Sequence, residues 1–215
     1  MTLPHSIEKL IEELFKTQTI KPSYRIPDIL YAIMLLGKAN EKGKGMGRYK
    51  LRQKIGLGGG SIKTLVGKLK EQDVIDVSDK KQRGHFLTKK GKKIYEVLTE
   101  VIPVPQRLKD PKNEIVLGDV AHYTWIKSKY VDNHNNIGIK QRDASIKIGG
   151  EGATCLEFNG EGFVFPGDQE NQFSLSLDAP EFKELREKDV LIIGGASKKN
   201  LSVIATIAAA LSLFD

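Results

Sequence analysis

One cysteine, Cys155, has no second thiol in the chain to pair with, so an internal disulfide is excluded and a reducing compartment is the simplest setting. The four histidines, His5, His85, His122 and His134, are scattered without the paired spacing of a zinc finger, which leaves no metal site to expect. Aromatic residues make up 7% of the chain, too few to interleave with the basic residues as a ladder for stacking unpaired bases, and this argues against single-stranded RNA as the ligand. Long apolar runs are missing as well. Residues Met1 to Phe15 alternate charge with apolar residues, unlike a signal peptide or membrane anchor, and the Ala-rich stretch Leu201 to Phe214 is too short to cross a bilayer and reads as a buried helix. The expectation is a cytoplasmic chain with no membrane partner and no cofactor.

Acidic residues are scarce in one place only. The window from Lys38 to Lys93 holds 17 Lys plus Arg against 5 Asp plus Glu, a balance of +12. Residues Met1 to Gly37 balance to zero, and Ile94 to Asp215 total −5, so the whole returns to the formal charge of +7. A concentrated excess makes a field that draws polyanions, whereas a solvated face normally mixes signs.

Apolar spacing within and around that window predicts an order of elements. Ile7, Leu10, Ile11, Leu14 and Phe15 mark an amphipathic helix, and a second runs from Pro27, placed in its first turn, to about Ala39. Gly43, Gly45 and Gly47 make a loop. A short helix from Arg48 to Ile55, with Tyr49, Leu51 and Ile55 inward, ends at the glycine run Gly56 to Gly60, and a further helix spans Ser61 to Gln72 with Ile62, Leu65, Val66 and Leu69 on one face. Val74 to Val77 and His85 to Leu87 form a hairpin, and Thr88 caps a last helix that stops before Pro103. Helix, glycine turn, helix and basic hairpin is the order of a winged helix-turn-helix, and the basic window coincides with it.

The outer face of the Ser61 to Gln72 helix carries small, polar and basic residues, as a helix that enters the major groove requires. Lys63, Thr64 and Lys68 are the candidate groove contacts, and Ser61 lies where helix N-terminal N–H groups hold a phosphate. Arg48, Lys50 and Arg52 flank the motif's first helix, while Lys80, Lys81 and Arg83 at the hairpin tip are placed to grip the backbone. Duplex DNA is the expected partner. Because two-fold operators need two recognition helices about one duplex turn apart, a homodimer is expected too.

The stretch Gly47 to Gly91 resembles the winged-helix domains of archaeal transcription regulators. Gly47-Arg48-Tyr49-Lys50-Leu51, Leu69-Lys70-Glu71 leading to Ile75, and Leu87-Thr88-Lys89-Lys90-Gly91 carry that resemblance. Arg142-Asp143-Ala144, Gly152-Ala153-Thr154 and Pro166-Gly167-Asp168 resemble an uncharacterised C-terminal domain that accompanies such winged helices. An archaeal CTP-dependent riboflavin kinase also joins a winged helix to a second domain, but that domain is a small β-barrel, whereas the second half here has two strong helices.

The resulting division is a winged helix-turn-helix domain with an extra N-terminal helix over residues 1–102, a linker over 103–111, and an α+β sandwich for effector sensing or dimerisation over 112–215. In the second half, strands are predicted near Ala121 to Tyr130, Thr154 to Phe158, Gly162 to Phe165 and Val190 to Gly194. Helices are predicted at Ile137 to Ile148, Pro180 to Glu187 and Lys198 to Phe214, an order compatible with a ferredoxin-like fold. A small-molecule effector is assigned to Arg142 and Asp143 and to Gly194, Gly195, Ser197 and Lys198, where a strand, a glycine turn and a helix N-terminus would suit an anion. No catalytic constellation emerges, because His122, His134 and Cys155 lie in separate segments. The competing class is an enzyme whose second half processes a nucleotide or other small molecule and whose winged helix is accessory.

Overall fold

Ile7, Leu10 and Leu14 recur on one face of the first helix, α1 (His5–Phe15), and all three are buried, so burial of that stripe is what fixes the helix. The computed structural model describes residues 3–16, 22–77, 84–109, 114–131, 137–168, 172, 173, 175 and 185–214. The chain divides between Glu100 and Val101 into two units.

In the N-terminal unit α1 is followed by α2 (Ile26–Glu41), α3 (Arg48–Ile55), α4 (Gly59–Glu71), β1 (Ile75–Val77), β2 (His85–Leu87) and α5 (Lys89–Val101). The start of α2 is held by Asp28, whose carboxylate accepts the Arg25 backbone N–H at 2.8 Å and the Arg25 Nε–H at 3.1 Å. Pro27 sits in the first turn of α2, where its missing N–H costs nothing. Gly56, at φ 87°, ends α3 in the left-handed conformation that favours glycine. Gly59 and Gly60, read from sequence as part of the turn, instead form the first residues of α4. Ile62, Leu65, Val66 and Leu69 of α4 are buried, and truncating a buried leucine such as Leu65 or Leu69 to alanine costs about 2–5 kcal/mol.

The hairpin pairs Ile75 with Leu87 and Val77 with His85, antiparallel. It is tied back to the helices, since His85 and Met46 exchange backbone hydrogen bonds at 3.0 and 2.9 Å and the Leu87 N–H reaches Asn40 Oδ1 at 2.7 Å. Thr88 caps α5 by accepting the Gly91 N–H at 3.0 Å. One expectation fails here: Tyr49 is 69% exposed, because it lies about 200° around the helix from buried Leu51.

The C-terminal unit contains β3 (Gln106–Arg107), β4 (Val120–Ile126), a 3₁₀ turn (Ser128–Tyr130), α6 (Ile139–Lys147), β5 (Gly152–Phe158), β6 (Phe163–Val164), β7 (Val190–Ala196) and α7 (Lys199–Leu211). The chain is therefore of the α+β class. Its strands lie in the order β3-β4-β7-β5-β6, and every neighbouring pair is antiparallel. The stretch expected as a linker thus contributes an edge strand, β3, and Leu108 beside it is buried in the core.

The sheet carries the split βαβ of the ferredoxin-like option: β4, α6 and β5 form the crossover, and antiparallel β7 lies between its two strands. It departs from the βαββαβ order at the edges, where β3, from before the crossover, takes the place beside β4, and the two-residue β6 extends the sheet beyond β5. Residues 180–184 of the expected helix Pro180 to Glu187 lie outside the described residues, and Leu185 to Lys188 form no helix.

All seven residues of β7 are buried, because the sheet is covered on both faces. One face packs on α6 and α7; on the other, Ala121, Tyr123, Trp125, Leu156, Leu191 and Ile193 form a core with Leu108, Ile115 and Phe163. The helical face is joined through buried polar groups. Thr206 Oγ1 lies 3.0 Å from the His122 carbonyl and 2.8 Å from the Ser202 carbonyl, and His122 Nδ1 lies 2.6 Å from Ser202 Oγ.

Burial, with a smaller contribution from the charges of Lys199 and Arg107, pulls the His122 imidazole down to about 4. A folded-state value below the unfolded one makes His122 favour the fold above about pH 6.5, and that contribution disappears as pH falls toward 4. Stability, read from the urea midpoint, should drop by about 2 kcal/mol between pH 7.5 and pH 5 through this residue. His122→Asn should flatten that part of the profile, and an unchanged slope would contradict the assignment.

Candidate nucleic-acid interface

Two helices and the hairpin bring the basic residues of the N-terminal unit together, and the helical period decides which of them share a face. On α4 the buried stripe faces inward, while Gly60, Lys63, Thr64 and Gly67 lie on the opposite side. Lys63 and Thr64 are exposed, as is Lys70, two turns beyond Lys63 on the same edge. On α3, Arg48 and Arg52 share one flank of the buried Leu51–Ile55 stripe and both are exposed. Arg48, Arg52, Lys63 and Lys70 make no ion pair with any described residue.

The electrostatics of His85 show where these cations converge. Its Nδ1 is enclosed without a hydrogen-bond partner among the described residues, and burial, followed by the charges of Lys70 and Arg48, holds its imidazole below the ordinary histidine range. Lys70 in the last turn of α4 and Arg48 in the first turn of α3 thus both act on His85 of β2, and Asp76 on the paired strand opposes them.

The start of α4 is open. Its N-cap, Gly58, offers no side-chain hydrogen bond, and Gly58, Gly59 and Gly60 are all exposed. The first intrahelical bond runs from the Ile62 N–H to the Gly58 carbonyl at 3.0 Å, which leaves the N–H groups of Gly59, Gly60 and Ser61 at the positive end of the helix dipole. Ser61 Oγ is 2.5 Å from Ser23 Oγ, so the hydroxyl fastens the chain before α2 to this helix start. Thr64 Oγ1 donates to the Gly60 carbonyl at 3.2 Å and keeps its lone pairs outward.

Several candidates stand elsewhere. Lys68 is half-buried and bonded to Glu71 at 2.8 Å, so its charge is largely spent within α4. Lys50 is exposed but lies about 200° around α3 from Arg48, on the flank shared with Lys54. Lys80, Lys81 and Arg83 lie outside the described residues.

The C-terminal candidates change character. Gly194 and Gly195 are inside β7 rather than in a turn. A Cβ at Gly194 would sit 2.5 Å from the Thr206 backbone nitrogen, and one at Gly195 only 1.5 Å from the Leu117 carbonyl oxygen, so close packing on the two sheet faces accounts for both glycines. Ser197 and Lys198 are exposed before α7. Arg142 pairs with its neighbour Asp143, Nη2 to Oδ1 at 3.1 Å, with both side chains about half exposed.

Lys70 and Tyr49 escaped the sequence reading although a signal existed for each. Lys70 follows Lys63 at seven residues, and Tyr49 lies opposite the Leu51–Ile55 pair. The Tyr49 hydroxyl accepts from Gln53 Nε2 at 3.1 Å on the outer face of α3.

Two family models match parts of the chain. Residues 25–93 match the "PH0730-like, N-terminal domain", and residues 117–213 match "Domain of unknown function (DUF4443)". Among solved structures, "Hypothetical protein PH0730 from Pyrococcus horikoshii OT3" is similar with a TM-score of 0.66 at 28% identity, over 87% of this chain and 91% of that chain. No curated protein matches. The PH0730-like segment contains α2 to β2 and the first residues of α5, and with them the whole convergent basic region. The second match falls within the C-terminal unit.

Among the described residues no group of three His, Cys, Asp or Glu side chains is placed to hold a metal ion, and no helix is long and apolar enough to cross a membrane. Cys155 is buried, and burial pushes its thiol up to about 12, which makes it a poor nucleophile.

Proposed function

We propose that this chain is a transcription regulator that binds duplex DNA through a winged helix-turn-helix formed by residues 25–93, working in the cytoplasm as a homodimer. In this reading α4 enters the major groove. Lys63 and Thr64 meet base edges, while Arg48, Arg52, Lys70 and the open N–H groups of Gly59, Gly60 and Ser61 hold phosphates. Lys80, Lys81 and Arg83, which lie between β1 and β2 in the sequence, hold the neighbouring backbone in this reading. A small molecule bound by the C-terminal unit modulates the regulator in this reading, without Gly194 and Gly195, which close packing within β7 accounts for.

Glycines that the fold does not need carry this reading. A Cβ at Gly59, Gly60 or Gly67 would meet nothing within 4 Å, and none of the three has a positive φ. Glycine in a helix interior costs about 0.5–1 kcal/mol relative to alanine, so Gly67 is a standing loss that nothing within the unit repays, and Gly59 and Gly60 leave the exposed first turn bare. A surface from outside that must approach the α4 backbone closely does explain them.

Gly67→Ala is therefore expected to raise the stability of the chain by about 1 kcal/mol while lowering its affinity for duplex DNA about 10- to 100-fold, the size of an overpacked contact. Denaturant titration and fluorescence anisotropy with a labelled duplex read the two effects separately. A more stable variant that binds as well as the parent would refute close approach at α4.

A further inference from the structure

We propose that the outer face of α6 is a two-fold self-complementary surface through which two copies of this chain pair. It supplies the contact for the dimer that the regulator reading calls for, and it can be tested without DNA, so the two can fail separately.

Helix α6 buries Gln141 and Ser145, with Ile148 just beyond its end, against its own unit. Ile139, Arg142, Asp143 and Ile146 follow the i, i+3, i+4, i+7 spacing and so form one stripe on the side turned away from those residues. Ile139 is 70% exposed and Ile146 49%. A single exposed isoleucine needs no explanation, but two on one stripe, either side of a pair of opposite charges, form a pattern.

The pattern reads the same from both ends. Its midpoint falls between Arg142 and Asp143, so a second α6 laid antiparallel across a two-fold axis sets Ile139 against the other copy's Ile146. Arg142 then meets the other copy's Asp143, and each contact occurs twice. Among the described residues, the polar partner of Arg142 in the single chain is its neighbour Asp143, with Nε at 3.2 Å and Nη2 at 3.1 Å from the same carboxylate oxygen. Pairing exchanges that contact for two reciprocal ones and leaves no charge unpartnered, the condition under which ionic groups tolerate partial burial.

Leu117, 47% exposed, widens the apolar strip, since its side chain and the Arg142 stem both border Gly152. Lys140 and Lys147 lie at the rim, where water screens them. The +12 excess lies in the N-terminal unit, while residues 103–215 carry 13 bases against 16 acids, so the unit that presents α6 has no large charge to drive copies apart.

A helix of nine residues offers less than the roughly 800 Å² per partner of a standard interface, which sets the expected pairing in the micromolar range. Sedimentation equilibrium of the full chain from about 1 to 200 μM, without DNA, should show a monomer–dimer equilibrium. Arg142→Asp sets acid against acid twice and is expected to weaken pairing at least about tenfold, a loss of about 1.4 kcal/mol. The exchange Arg142→Asp with Asp143→Arg restores complementarity about the same axis and should recover most of that loss. A chain that stays monomeric throughout, a dimer indifferent to Arg142→Asp, or an exchange variant no better than the single one would each overturn the proposal. Both positions are half exposed, and unchanged thermal unfolding of the variants confirms that the fold is intact.

Discussion

Reversing three charges, Arg48→Glu, Arg52→Glu and Lys70→Glu together, is expected to lower affinity for duplex DNA by at least about 500-fold at 0.1 M salt. Each phosphate contact releases condensed counterions worth about eightfold in affinity at that salt, so three amount to about 500-fold, and the introduced acids add repulsion. The same variant should reduce the slope of log affinity against log salt by about three. These residues are exposed and free of ion pairs with described residues, so reversal does not orphan a partner inside the fold. Reversing Lys50, around α3 from Arg48, should do distinctly less. Anisotropy titrations at three or more salt concentrations check both statements; equal losses from Lys50→Glu alone would show that charge in general, and not this face, is what matters.

Gly195→Ala should destabilise the C-terminal unit by about 3 kcal/mol or more, a large share of a domain's usual 5–15 kcal/mol. The added Cβ would come within 1.5 Å of the Leu117 carbonyl oxygen, and a backbone atom cannot swing aside as the end of a long side chain does. Gly59→Ala is the matched control. Nothing lies within 4 Å of that Cβ, so the chain should be as stable as the parent or slightly more so. If Gly195→Ala kept full stability by urea titration, the close packing of the 117 segment on β7 would be wrong, and an anion-binding role for the glycine would return.

Periodicity made most of the N-terminal unit legible. The Ile62–Leu65–Val66–Leu69 stripe, the Thr88 cap and the Ile75–Leu87 pairing depend on neighbours within a few turns, so local sequence carries them. Hydrophobicity alone places Tyr49 inward, but the helical angle set by Leu51 and Ile55 turns it to solvent.

The edges of the C-terminal sheet were less legible than its split βαβ core, because β3 lies in the stretch expected as a linker, while the pairings of β7 with β4 and β5 span some 70 and 40 positions and leave no local trace. Gly194 and Gly195 show the same limit. A glycine pair beside a helix start has one appearance in sequence whether it lines an anion site or relieves crowding from Thr206 and Leu117. For the candidate interface the charge window gave the region, while geometry withdrew Lys68, spent on Glu71, and added Lys70.

The most direct measurement is the affinity of the full chain for a duplex of about 20–30 base pairs between 50 and 200 mM salt, the footprint of a few recognition contacts per copy. A cationic ridge that grips six to ten phosphates predicts a fall of about 10³ to 10⁵ over that range. Affinity that stays level as salt rises would mean that these lysines and arginines do not meet a nucleic-acid backbone.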